Sequence, residues 1–485
     1  MKRSFIVLFS LLAAAVPVLS SAQTSQSATS DTATLSLDQA VSRAVNQSEE
    51  VRLAQAQVTL AETQVRATRA GIFPQLSGQL GYTRTFASAF SGGSGFSLPD
   101  SLKFEPDSTA SLQERVRYLE RRVPTAALGG LGALFGDLPF GQPNSYTARL
   151  DGSQILYSGG RVGAGLRIAA QFVDAARLEL EEQTAEIELQ VRSSYYRARL
   201  SEELVTISEA AVEQATRFLA SERLRQEAGI GSELDVLRAE VSLANLQPAL
   251  VDAANAAELA ALDLKRLVDI PLQQPVRLTT PLDKSSVAEA LDLSASTELL
   301  SRRASLAAAE RQVRIREEQV KIARGNYLPS VNLNFAYGKQ LFPSELFRFN
   351  EEWRTDFTAG VSVSVPIFNG NRTRAEVAQA QVELEQQRLR LSQLRENVQL
   401  DYERARGERE RTRVSIEARE RTVQQAQRVY DLTVLRYEQG LASQLEVSES
   451  RLALLQARTN LAQAVADFQI ASAQLSRALG RRVIQ

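Results

Sequence analysis

Two stretches of the chain set carboxylates at matched places behind a glycine: LRQEAGIGSELDVLRAEV, from Leu224 to Val241, and LRYEQGLASQLEVSESRL, from Leu435 to Leu452. Pairing Gly229 with Gly440 sets an offset of 211. It aligns Leu-Arg, Glu, Gly, Ser, Leu and an acid-Val pair without a gap, Asp235-Val236 against Glu446-Val447. Carboxylates serve as acid–base groups or metal ligands only beside suitable partners. With no His and no Cys, the usual zinc sites and the Ser-His and Cys-His nucleophile systems cannot be built. The sequence offers no nucleophile–base set, phosphate loop or metal cluster, so neither an enzyme nor a bound cofactor is expected. Near the start of a helix, acids are ordinarily surface groups stabilised by the helix dipole.

The chain of 485 residues opens MKRSFIVLFSLLAAAVPVLSSAQ. A basic pair, an apolar run and Ser20-Ser21-Ala22 read as a secretory signal over 1–22, with the mature chain starting near Gln23. An N-terminal membrane anchor is the lesser reading, because the run is short. No Cys follows, which excludes a lipid-anchored N-terminus, and export without cysteine suits a bacterial envelope. The 56 basic and 57 acidic residues nearly balance, which argues against nucleic acid as a partner. No later segment is apolar for long enough to form a membrane helix. Any crossing of a membrane must therefore use strands.

The repetition extends beyond the glycine turn. ILYSGGR (155–161) matches PIFNGNR (366–372) at the same offset, and RAGIFPQLSGQLGY (69–82) matches RGNYLPSVNLNFAY (324–337) at an offset of 255. The difference of 44 residues is an insertion in the first copy. Repetition on this scale sets the architecture. The first repeat is expected over 35–268, after a linker at 23–34, with strands near 75–86 and 145–157 around an insertion at 87–144. Its helical hairpin runs over 161–268 with a tip at 229–232. The second repeat covers 297–479, with strands near 330–339 and 355–366 and a hairpin over 371–479 whose tip is 440–443. A segment at 269–296 joins the repeats, and 480–485 is a tail.

The strands show strict alternation. Leu76, Gly78, Leu80 and Tyr82 oppose Gln75, Ser77, Gln79 and Thr83; Val331, Leu333, Phe335 and Tyr337 oppose Asn332, Asn334, Ala336 and Gly338. FTAGVSVSV (357–365) alternates as cleanly, and YTARLDGS (146–153) less so. Period two marks one apolar and one polar face, and each strand is long enough to cross a bilayer at a tilt. Pro74 and Pro329 stand at the starts of the leading strands.

From Leu166 to Ala228 there is neither Gly nor Pro, which gives a helix of roughly 95 Å. Leu166, Ala169, Val173, Ala176 and Leu180 trace an apolar seam, resumed after a stutter by Val191, Ala198, Val205, Val212 and Leu219. The matching stretch from Asn371 to Gln439 is interrupted only by Gly407. Gly229 and Gly440 supply the positive φ that ends such a helix before the chain returns. Four strands in one chain leave edges that lipid does not tolerate, whereas three copies give an even total of twelve.

These residues resemble the TolC-like outer-membrane efflux proteins, the exit ducts of tripartite pumps and type I secretion systems. The resemblance covers nearly the whole mature chain. It rests on the opening LSLDQAVSRAVNQSEEVRLAQAQVTLAETQVRATRAGIFPQL, the SGGR and NGNR turns, both tips and the return helices. It implies a mainly α fold with a membrane β-barrel: a homotrimer in which twelve strands form the barrel in outer-membrane lipid and the hairpins form a periplasmic α-helical barrel. An equatorial belt comes from 269–296 and the tail. The expected function is an exit duct that takes substrates from a periplasmic adaptor and an inner-membrane pump to the cell exterior.

The resemblance also assigns roles. Gly229, Ile230, Gly231 and Ser232, with Gly440, Leu441, Ala442 and Ser443, match the tips where an adaptor docks. Asp235, Glu446 and Glu449 match acids that narrow the closed duct, and Tyr437 matches a tyrosine that helps hold the tips shut. Ala442 stands where well-known members carry a gating arginine, so the latch here must differ. Gly159, Gly160 and Arg161, with Asn369, Gly370, Asn371 and Arg372, form the strand-to-helix turns.

The insertion holds a short helix, SLQERVRYLERR, with Ser111 and Glu114 spaced as a capping box. It belongs outside the cell as a lid or a loop. Trp353, the only Trp, suits either an interfacial belt or plain packing. The alternative function is a periplasmic structural coiled coil or an adaptor, neither of which accounts for four barrel-length strands in a repeated plan.

Overall fold

The computed structural model describes residues 33–86, 108–120, 143–283, 303–343, 345–350 and 352–480. The expected signal, most of the linker, most of the insertion, residues 284–302 and the last five residues lie outside the described residues. The elements in chain order are β1 (Ala33–Leu35), α1 (Leu37–Gln47), α2 (Glu49–Ala70), β2 (Gln75–Arg84), β3 (Asn144–Ser158), α3 (Arg161–Glu227) and α4 (Glu233–Leu267). Then come β4 (Val276–Leu278), α5 (Ala304–Gly325), β5 (Ser330–Leu341), β6 (Arg354–Ser364), α6 (Arg372–Glu438) and α7 (Gln444–Ala478). A short helix at 112–120 stands between β2 and β3, and Glu114 Oε2 accepts from both the amide and the hydroxyl of Ser111 at its start. The described residues fall into two compact units, one of those within 33–48, 190–283 and 412–470, the other of those within 49–189, 303–411 and 471–480.

The second unit holds a four-stranded antiparallel sheet in the order β2-β3-β5-β6. Cross-strand partners share a face, so the register Leu80↔Ala148, Leu150↔Tyr337 and Tyr337↔Phe357 gathers the apolar residues on one side. The other side carries Gln79↔Arg149, Ser153↔Asn334 and Asn332↔Ser362. Gly152 is required in the middle of this sheet: a Cβ there would stand 2.1 Å from Cε1 of its partner Phe335, whose ring covers it. The edge strands β2 and β6 are exposed along their whole length, with Leu80 and Val361 among their bare apolar side chains.

The turn from β3 into α3 passes the end of α5. Gly159 (φ 63°) leaves no room for a Cβ, which would lie 2.5 Å from the Gly325 carbonyl oxygen. Arg161 closes the turn through Nε to the Ser158 carbonyl (2.9 Å) and Nη1 to Asn326 Oδ1 (3.0 Å), and Asn326 Nδ2 donates on to Glu376 Oε2 (3.0 Å). In the second copy the turn is made by Gly370 and Asn371, both at positive φ.

Helix α5 starts at Arg303 without a side-chain cap of its own. Glu182 on α3 serves instead, accepting from the Ser305 amide through Oε2 and from Arg303 and Arg477 through Oε1. Burial alone would push the Glu182 carboxyl up, but the two guanidinium groups and the amide outweigh it and hold it below the usual range. Leu306 packs with Leu391 and Val398, and Tyr402 and Ala405 pack with Leu475, Ala478 and Leu479.

In the first unit, β1 and β4 form a parallel pair, Ala33↔Val276 to Leu35↔Leu278. This corrects the expected linker at 23–34, whose last two residues are strand. The buried Tyr195 of α3 holds the pair, donating to the Leu35 carbonyl (3.1 Å) and accepting from the Thr280 amide (2.9 Å). Along α3 the expected seam is buried at Ala169, Val173, Val191, Ala198 and Leu219, but Val205 and Val212 are only half-buried, and Ile207, Ala211 and Ala215 are buried in their stead. Rows four apart carry the contact here, the usual ridge of a helix packed at close range. Helix α6 runs unbroken through Gly407.

Candidate functional site: the hairpin tips

Both long helices end in the same six-residue closure. Gly229 (φ 78°) donates to the Gln226 carbonyl and Ile230 to that of Arg225; Gly440 (φ 74°) donates to Tyr437 and Leu441 to Arg436. This is the Schellman pattern, in which the glycine takes the left-handed conformation and two terminal carbonyls are satisfied. Ile230 and Leu441 follow the glycines and are 72% and 63% exposed, bare at the extremity of each hairpin. Gly231 is tight against Arg225 and Gln226, whereas Ala442 is half-buried.

The return helices start from serines. Ser443 and Glu446 form a full capping box: the Glu446 amide donates to Ser443 Oγ (3.3 Å), and Glu446 Oε1 accepts from the Ser443 amide (3.1 Å) and hydroxyl (2.9 Å). Those bonds hold the Glu446 carboxyl below its usual range. At the first tip the Asp235 amide donates to Ser232 Oγ (3.2 Å), whose hydroxyl donates to Asp235 Oδ2 (2.6 Å). Asp235 and Glu446 are thus occupied in their own caps, and Glu449 is exposed one turn on from Glu446.

Tyr437 makes its hydrogen bond to an acid that the sequence reading did not group with it. Its hydroxyl donates to Oε2 of Glu222 on α3 at 2.8 Å, and Glu222 is only 1% exposed. The Arg225 guanidinium lies 5.0 Å from the centre of the Tyr437 ring and Phe218 packs at 5.6 Å. Burial and then the Glu222 carboxylate push the Tyr437 phenol up, so it stays a donor. Gln444 Nε2 donates to the Asp235 carbonyl (2.7 Å), a second tie between the hairpins. Glu222 Oε1, Arg225 Nε and Gln444 Oε1 are buried without a hydrogen-bond partner. A buried polar network left half-satisfied in this way is costly in a low dielectric.

Sequence reading missed Glu222, because its partner belongs to the other repeat. The signal lay in a break of the repeat: Glu222 matches Thr433, and Tyr437 matches Gln226.

The two long hairpins carry bare tips, and the sheet has one apolar and one polar face. The sequence matches the outer membrane efflux protein family over residues 131–268 and 295–481, and the chain belongs to that family. It is 24% identical over 292 residues to the solvent efflux pump outer membrane protein SrpC of Pseudomonas putida, covering 60% of this chain and 61% of that protein. It is 26% identical over 348 residues to the pyoverdine export outer membrane protein OpmQ of Pseudomonas aeruginosa, covering 70% of each. Among solved structures, CusC superposes with a TM-score of 0.72 at 19% identity, covering 92% of both chains. The Campylobacter jejuni CmeC channel gives 0.72 at 15% identity over 92% of this chain and 85% of that one. The fold is therefore TolC-like, and the protein is an outer-membrane protein.

Proposed function

We propose that three copies of this chain form an exit duct through the outer membrane, fed by a periplasmic adaptor and an inner-membrane pump. The observation that carries this is the pair of bare edges. Among the described residues, strands β2 and β6 each have one neighbour, and every residue on them is exposed, the apolar ones included. An open edge in hydrocarbon leaves backbone groups unsatisfied at several kcal/mol each. With four alternating strands, β6 of one copy meets β2 of the next antiparallel, as an outer-membrane barrel requires. The apolar side of the sheet then faces lipid and the Asn- and Ser-rich side lines the pore.

In this reading Gly229 to Ser232 and Gly440 to Ser443 are the adaptor-docking end, which suits their exposed Ile230 and Leu441. Asp235, Glu446 and Glu449 narrow the throat, and Tyr437 bound to Glu222 supplies a latch where Ala442 offers none. Related proteins carry names that span solvent efflux, pyoverdine export and alkaline protease secretion, so the proposal concerns the duct and leaves cargo to the pump. The test is purified protein in planar bilayers, with the mass of the detergent particle measured in parallel. Discrete channels from a particle of three chains support the reading. A non-conducting monomer that stays soluble without detergent leaves only a periplasmic coiled coil.

A further inference from the structure

The four long strands divide their charges unequally between the two faces of their sheet. On the polar face Arg149 and Arg354 are matched by Asp151 and Asp356, and Arg149 Nε lies 2.7 Å from Asp151 Oδ1. On the apolar face the strands carry two charged residues, Arg84 and Lys339, both cations, and no acid. Both are exposed, and neither makes an ion pair among the described residues. Both also lie toward the end of the sheet away from the long helices, Arg84 as the last residue of β2 and Lys339 near the end of β5.

Between them the same face carries an aromatic shelf. Tyr82 and Tyr146 are cross-strand partners with ring centres 4.9 Å apart, and the loop after β5 folds onto them. Phe349 packs on Tyr146 at 5.1 Å, and the Phe347 amide donates to the Tyr146 hydroxyl at 3.3 Å from a backbone held at a positive φ of 66°. The register sets Lys339 in the row of Leu80, one row short of Tyr82, and Arg84 one row beyond it. Four residues along and two strands across, the two Cα atoms stand about 17 Å apart, with the tyrosines between them.

A lysine on a lipid-facing strand is costly at the bilayer midplane and nearly free at the interface, so Lys339 marks where hydrocarbon ends. Tyrosine rings favour the same level. Cations there, with no acid beside them, attract anionic headgroups.

We infer that this face holds a glycolipid of the outer leaflet, with phosphates on Arg84 and Lys339 and sugar rings on the Tyr82–Tyr146 shelf. The span between the cations calls for a headgroup phosphorylated at both ends. The occupant is a lipid and not a soluble anion, because the cations flank an apolar surface that faces acyl chains in the closed barrel. The inference rests on the barrel reading of the sheet.

The test uses detergent-extracted full-length protein whose particle mass is measured first. It is then mixed with lipid A, a disaccharide lipid with two phosphates, and with the same lipid stripped of its phosphates, and the retained lipid is read by native mass spectrometry. At about fivefold for each basic group, the wild type should prefer the phosphorylated form roughly thirtyfold. Arg84→Gln and Lys339→Gln should each lower the preference to about fivefold, and the double variant should lose it. Arg149→Gln, on the polar face, should keep it. Inorganic phosphate at the same concentration should leave the lipid in place; displacement would make a soluble anion the occupant and overturn the inference. A particle of three chains with no preference, or with one that survives in the double variant, overturns it too and leaves the barrel standing. A single chain that stays soluble without detergent overturns both.

Discussion

Tyr437 reaches across to Glu222 at 2.8 Å, and the residues matching this pair in the repeats, Gln226 and Thr433, offer no such bond. The tie therefore occurs once per chain, between the two hairpins of one copy. Tyr437→Phe leaves Glu222 buried with neither oxygen bonded, at a cost of about 1–3 kcal/mol to the closed arrangement. Conductance of single channels should rise, and Glu222→Gln, which keeps an acceptor for the phenol, should have a smaller effect. Unchanged conductance in Tyr437→Phe removes the latch.

Glu446→Gln combined with Glu449→Gln should weaken cation selectivity while leaving assembly intact. A Gln at the third position of α7 still completes the cap with Ser443, so folding is spared and only the charge is lost. Reversal potentials in a salt gradient across a planar bilayer decide it. The same cation preference in the double variant would show that these acids are surface groups.

The repeat made both tips, all four long strands and the two hairpins legible, because each follows from a pattern within one segment. The closures at Gly229 and Gly440 involve only carbonyls within five residues. What stayed hidden depends on residues far apart in the chain. Glu182 caps α5 from 123 residues upstream, and Arg303, the residue at that helix start, gives no local sign of a cap. Strands β1 and β4 are three residues each, too short for alternation to register, and exist because Tyr195 clamps them. Burial of Arg451 was equally unreadable, since a charged residue on a helix is usually solvated.

Removing Glu182 should be felt across the second unit. Glu182→Ala leaves Arg303 buried beside an uncapped α5 and should cost roughly 2–4 kcal/mol, seen as a lower Tm in detergent. The Glu182 carboxyl is held below its ordinary 4.5, so its stabilisation is full above that value and is lost as pH falls through the lower folded one. Stability of wild type should therefore drop on acidification below about 4.5 more steeply than that of Glu182→Gln. Parallel pH profiles would contradict this.

Gly152→Ala should disturb the sheet through Phe335, since the added methyl occupies the space of the ring. Loss of the assembled species on unheated gels is expected, with recovery when Phe335→Ala is added. A Gly152→Ala protein that assembles normally would mean that the ring moves aside freely.

The edge-to-edge closure of the sheet is tested most directly by disulfides, because the chain has no cysteine to interfere. Leu80→Cys on β2 is combined in turn with Phe357→Cys, Ala359→Cys, Val361→Cys and Val363→Cys on β6, and cells are oxidised. Strand partners bring Cβ atoms within disulfide range, so at least one combination should give a reduction-sensitive band of three chains. Oxidation that yields only monomers in every combination, or stops at dimers, would contradict a barrel closed by three copies.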